Sequence, residues 1–78
     1  MPTVLRVGAF RFFFYSGDGG EPPHIHVEGN DGEAKFWLDP IRLERSHGLG
    51  RKDINGIRAL VEEHVDTLLE SWNEFFIG

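Results

Sequence analysis

From Arg51 to Phe76 the apolar residues Ile54, Ile57, Val61, Val65, Leu68, Leu69, Trp72, Phe75 and Phe76 recur at helical spacing. At 100° per residue they fall within about 60° either side of one line, which specifies an amphipathic helix with a single apolar stripe. Gly56, near its start, weakens that helix by roughly 1 kcal/mol relative to alanine. A helix over about residues 51–76 cannot cover its stripe by itself, so the rest of the 78-residue chain has to supply one matching apolar face.

The remainder reads as strands. TVLRVGAFRFFFY, residues 3–15, is rich in β-branched and aromatic residues around a Gly-Ala pair, which suits a two-residue hairpin turn with glycine first. That turn sets Val7 opposite Phe10, Leu5 opposite Phe12 and Thr3 opposite Phe14 on an apolar face. Arg6 then lies across from Arg11 on the reverse face, a like-charge pair that needs a carboxylate or an anionic ligand nearby. SGDGGEPP, residues 16–23, reads as a loop of about eight residues, with the prolines stiffening the approach to the next strand. HIHVEGNDGEAKFWL, residues 24–38, forms a second hairpin whose turn centres on Asn30-Asp31 or on Asp31-Gly32. Both registers place His24, His26, Glu28, Glu33, Lys35 and Trp37 on one face and Ile25, Val27, Ala34, Phe36 and Leu38 on the other. Asp39-Pro40 breaks the strand, and IRLE adds a short edge strand. The expected fold is α+β: one domain over 1–78, with an antiparallel sheet of four or five strands over about 3–44, covered on one face by the long C-terminal helix.

Charge and composition exclude several classes. The chain has no cysteine, so neither a disulfide nor a thiolate metal site supports the fold, and nothing points to an oxidising compartment. No apolar run approaches the roughly 20 residues that span a bilayer, and the N-terminus has no signal-peptide pattern, so the expectation is cytoplasmic without membrane contact. A net charge of -5 argues against a broad nucleic-acid platform. The charge is nevertheless uneven. Arg42, Arg45, Arg51, Lys52 and Arg58 make a local basic region, of which the segment from Arg42 to Lys52, or else Arg6 with Arg11, can hold phosphates, whereas beyond it Glu62, Glu63, Asp66, Glu70 and Glu74 make an acidic one.

The stretch EPPHIHVEG carries the candidate chemistry. If the helix covers the Phe12/Ile25/Phe36 face, the uncovered face displays Arg6, Arg11, Phe13, Tyr15, His24, His26, Glu28, Glu33, Lys35 and Trp37. Histidines and charges are ordinary on a solvated sheet face, but Phe13, Tyr15 and Trp37 are not, and they suggest a surface that meets a partner or a ring. His24 and His26 are candidate ligands for a divalent metal such as zinc, with Glu28 or Glu33 as the carboxylate. They are also candidate catalytic residues: one as base and one as acid beside Lys35, with the Arg6/Arg11 pair stabilising a phosphodiester transition state. His47 is a candidate anion-binding residue, or a neighbour of the helix cap. His64 and the acidic back of the helix read as structural and solvated.

MPTVLRVGAFRFFFYS, EPPHIHVEG, AKFWLDPIRL and the SHGL turn before a helix ending in LLESWNEFF resemble the small bacterial proteins of domain-of-unknown-function family 4160. The resemblance covers essentially the whole chain, and Glu-Pro-Pro-His-x-His is its most specific mark. It implies one half of a two-gene toxin-antitoxin module: a toxin-like component acting through His24 and His26, neutralised by a small antitoxin-like protein from the neighbouring gene. The binding candidates are Arg6, Arg11, Tyr15, Glu28, Trp37, Arg42 and His47. The alternative is a non-catalytic regulatory domain that binds a partner or a metal.

Overall fold

The computed structural model describes residues 3–77; Met1, Pro2 and Gly78, which the expected domain includes, lie outside the described residues. Five strands form one antiparallel sheet in chain order: β1 (Thr3–Val7), β2 (Phe10–Phe13), β3 (His24–Gly29), β4 (Gly32–Leu38) and β5 (Ile41–His47). A 3-10 turn, Ser16–Gly20, separates β2 from β3, and α1 spans Arg51–Phe76. The architecture is the expected α+β one, with the helix boundaries where the periodicity puts them.

The turns follow from residue type. Gly8 adopts φ 57°, as the first position of the Gly-Ala turn requires, and Val7 pairs with Phe10 and Leu5 with Phe12. Asn30 and Asp31 have φ of 51° and 67°, so the second hairpin turns on these two residues; Glu28 then faces Glu33, His26 faces Lys35 and His24 faces Trp37. Both are residue types that tolerate the left-handed region, which decides between the two registers.

Three expectations are corrected. The β1–β2 ladder shifts between Leu5 and Thr3, so Thr3 pairs with Phe13 and not Phe14. Phe14 leaves the strand but stays buried, its ring 5.3 Å from that of Trp72 and 5.9 Å from that of Phe76. The last strand runs to His47, taking in Ser46 and His47, which the sequence assigns to a loop.

Phe12, Phe14, Ile25, Val27, Ala34, Phe36 and Leu38 form the sheet side of the core, and Ile57, Val61, Leu68 and Trp72 the helix side. Spacings of four, seven and four residues between those helix positions are those of one helical stripe. Phe75, at the margin of that stripe, remains half exposed.

Candidate metal centre

The histidine face is not wet. His24 is 0% exposed and Phe13 2%, and His26 and Lys35 are also buried, against the expectation of an open surface with grouped aromatics. The 3-10 turn accounts for part of the burial, because its Asp18 and the following Glu21 reach back to this face. Asp18 Oδ2 lies 3.1 Å from His24 Nε2 and 3.0 Å from His26 Nε2, and Glu21 Oε1 lies 2.6 Å from Lys35 Nζ. The C-terminal helix supplies more: the ring of Trp72 stands 4.9 Å from that of His24, and Trp37 packs on it at 5.6 Å.

Local chemistry fixes the orientation of each group. His24 Nδ1 lies 2.9 Å from the Pro22 carbonyl, which can only accept, so Nδ1 carries a proton. In the neutral ring, Nε2 is then a bare lone pair. Its separation from Asp18 is short but not aligned for a hydrogen bond, and among the described residues it is a buried side-chain nitrogen with no partner. His26 donates from Nε2 to Asp18, while Phe13 stacks on its ring at 5.6 Å and Tyr15 meets the ring edgewise at 4.7 Å. Asp18 also accepts the Tyr15 backbone N–H at 2.9 Å.

These contacts set the charges. Burial acts to raise the Asp18 pKa, but the Tyr15 N–H and the two histidines outweigh it, and the carboxyl sits below its ordinary value. Burial pushes His26 below the ordinary imidazole value, against the pull of the Asp18 charge and hydrogen bond, with His24 and Lys35 adding to the depression. Glu21 is held low chiefly by the hydrogen bond from Lys35.

Asp18, His24 and His26 present one ligand atom each, all within 4.8 Å of one another. Ligands about 2.0–2.2 Å from one ion at angles of 90–110° are separated by roughly 2.9–3.4 Å. The two Asp18-to-histidine separations fit that range, and the two histidine ligand atoms lie within 4.8 Å of each other.

The other candidates scatter. Arg11 finds the carboxylate its pairing with Arg6 calls for, at 2.6 Å from Glu28, and lies over the Phe13 ring. Glu28 is thereby engaged, and with Glu33 opposite it on the ladder neither joins the histidines; the expected carboxylate ligand is replaced by Asp18. Arg6 is exposed on the edge strand β1. Trp37 Nε1 donates to Glu44, and Arg42 pairs opposite Trp37 on β5. Lys35, Arg45 and His47 line a small cavity beside His26. Sequence reasoning missed Asp18 and Glu21, and it placed Arg45 in the basic segment without setting it beside Lys35; the one signal for Asp18 was an aspartate set between glycines six residues before His24.

The family model for a domain of unknown function, DUF4160, matches residues 9–73. The chain belongs to this family. The matched span of this DUF4160 chain contains all three clustered residues and every strand but β1. No curated protein matches it, and no solved structure does. Among the described residues no helix is long and apolar enough to cross a membrane.

Proposed function

We propose that this chain binds a divalent metal through Asp18 Oδ2, His24 Nε2 and His26 Nε2, and that the site serves a toxin-like component of a two-protein module. The observation that carries the metal reading is His24: a fully buried ring whose Nδ1–H is committed to a backbone carbonyl and whose Nε2 faces two other ligand atoms without a hydrogen bond. Metal-bound histidines are oriented this way, the second nitrogen donating to a carbonyl or carboxylate. A plain acid-base role suits His24 poorly, because a nitrogen with no solvent access cannot exchange a proton directly with a substrate. Three protein ligands leave a coordination position for water or substrate, as in catalytic rather than structural zinc sites. The toxin-like role is supported by the sequence resemblance alone.

Calorimetric titration of chelator-treated protein with zinc at neutral pH tests the site. One equivalent should bind with release of protons, and Asp18→Asn or His24→Leu should weaken it tenfold or more. Free zinc at 100 times its Kd should add about 2.7 kcal/mol of stability, or roughly 10–20 °C in Tm for a chain of this size. Absence of saturable uptake would remove the metal reading. For the module, expression without the neighbouring gene product should slow growth and His24→Leu should relieve it; no effect of the wild-type chain would leave a non-catalytic metal-binding regulatory domain.

A further inference from the structure

The β4–β5 ladder contains an irregularity with chemical consequences. Leu38 pairs with Ile41, Trp37 with Arg42 and Phe36 with Leu43, and the same register continued would set Glu44 opposite Lys35. The register shifts between Phe36 and Lys35, and Arg45 stands there instead. Glu44 accepts the Trp37 indole N–H at 2.8 Å. One extra residue has thus exchanged a favourable cross-strand pair for two cations side by side, an arrangement unfavourable by up to about 1 kcal/mol without an anion. Bulges that re-aim a side chain are over-represented next to functional sites.

The pair faces a cavity. Pairing across β2 to β5 sets Phe13, His26, Lys35 and Arg45 in one row, with Glu33 opposite His47 beside it. A cavity of about 90 Å³ is lined by this row together with Tyr15, Glu33, Ala34, Ser46 and His47, so its cations share it with one carboxylate. It has room for a few water molecules and so for a phosphate-sized group. The Lys35 charge is already balanced by Glu21, whereas Arg45 is exposed and has no ion pair among the described residues. A guanidinium presents a planar fork that matches two phosphate oxygens.

We propose that this cavity is an oxyanion pocket for the phosphate group of a phosphate-ester ligand, anchored by Arg45 with Lys35, Ser46 and His47 on its wall. The pocket deepens the metal reading and rests on it in one respect: the ring of His26 belongs to both, so a phosphate held here lies next to the ion. The probe is inorganic phosphate, titrated into metal-free and zinc-loaded protein and followed by backbone amide NMR. Saturable shifts confined to Ala34, Arg45, Ser46 and His47 are expected. Arg45→Ala, on an exposed edge position outside the metal ligands, should weaken binding tenfold or more, while Arg51→Ala should not. Unsaturable shifts, or equal losses in both variants, would overturn the pocket as general surface attraction. Zinc uptake without phosphate binding overturns the pocket and leaves the metal reading; Arg45-dependent phosphate binding without zinc uptake does the reverse.

Discussion

His24 occupies a position that an apolar side chain would ordinarily fill, between Trp37 and Trp72 with no solvent access. A buried nitrogen without a partner costs stability, and replacing it by an apolar group of similar size is often neutral or favourable. In the metal-free protein, His24→Leu should therefore lie within about 1 kcal/mol of wild type in urea unfolding. Leu68→Ala, which opens a cavity under the helix, should cost about 2–5 kcal/mol. A loss for His24→Leu as large as that for Leu68→Ala would mean that the ring is there to pack. Such a residue holds its place for what its lone pair does, and the metal-dependent gain in Tm should vanish with it.

The 3-10 turn Ser16–Gly20 is the element on which the cluster depends, since it alone brings Asp18 to the two histidines of β3. A glycine suits the point where the turn meets the helix: a Cβ on Gly19 would come within 2.9 Å of Phe76 Cδ1, so a larger residue there displaces the ring or the turn. Gly19→Val should push the turn away from α1, lowering stability by about 1 kcal/mol and weakening zinc binding although no ligand is altered. Phe76→Ala makes room for the new side chain, so the double variant should recover zinc affinity, with a coupling of about 0.5–3 kcal/mol in the stability cycle. Additive losses would show that the turn is held by Asp18 and not by its seat on the helix.

For the molecule as a whole, the shifted groups act in one direction. His26, Asp18 and Glu21 all have folded-state pKa values below the ordinary ones of 6.5, 3.8 and 4.5. The unfolded chain therefore binds more protons in the window between each pair of values, and acid favours unfolding. The contribution of each group is present above its unfolded value and is lost as pH falls through its folded value. Urea unfolding of the metal-free protein should give a stability that is level in pH near neutrality, declines as pH drops below 6.5 and declines again below the carboxylate values of 4.5 and 3.8. Asp18→Asn should reduce the decline below 3.8 but deepen the one below 6.5, because His26 loses the carboxylate that holds its pKa up. A stability that rises on acidification would contradict the charge state assigned to the cluster.

The helix, both hairpins and the partition of residues between sheet faces were readable from the chain, because each follows from local periodicity and turn chemistry. The register of the second hairpin was readable down to two options, and the conformational tolerance of Asn30 and Asp31 chose one. His24 and His26 were identifiable because neighbours at i and i+2 share a strand face wherever the strand goes. Their surroundings were not: burial of that face comes from a turn folding back over it and from Trp72, about fifty residues away in the chain. Asp18 joins them because the turn folds back over β3, close against Phe76, and Arg45 replaces Glu44 beside Lys35 because one residue bulges out of the last ladder. Periodicity records which way a side chain points within its own element; which groups meet across elements depends on loop paths and single-residue register shifts, whose small energies are decided by packing of the whole.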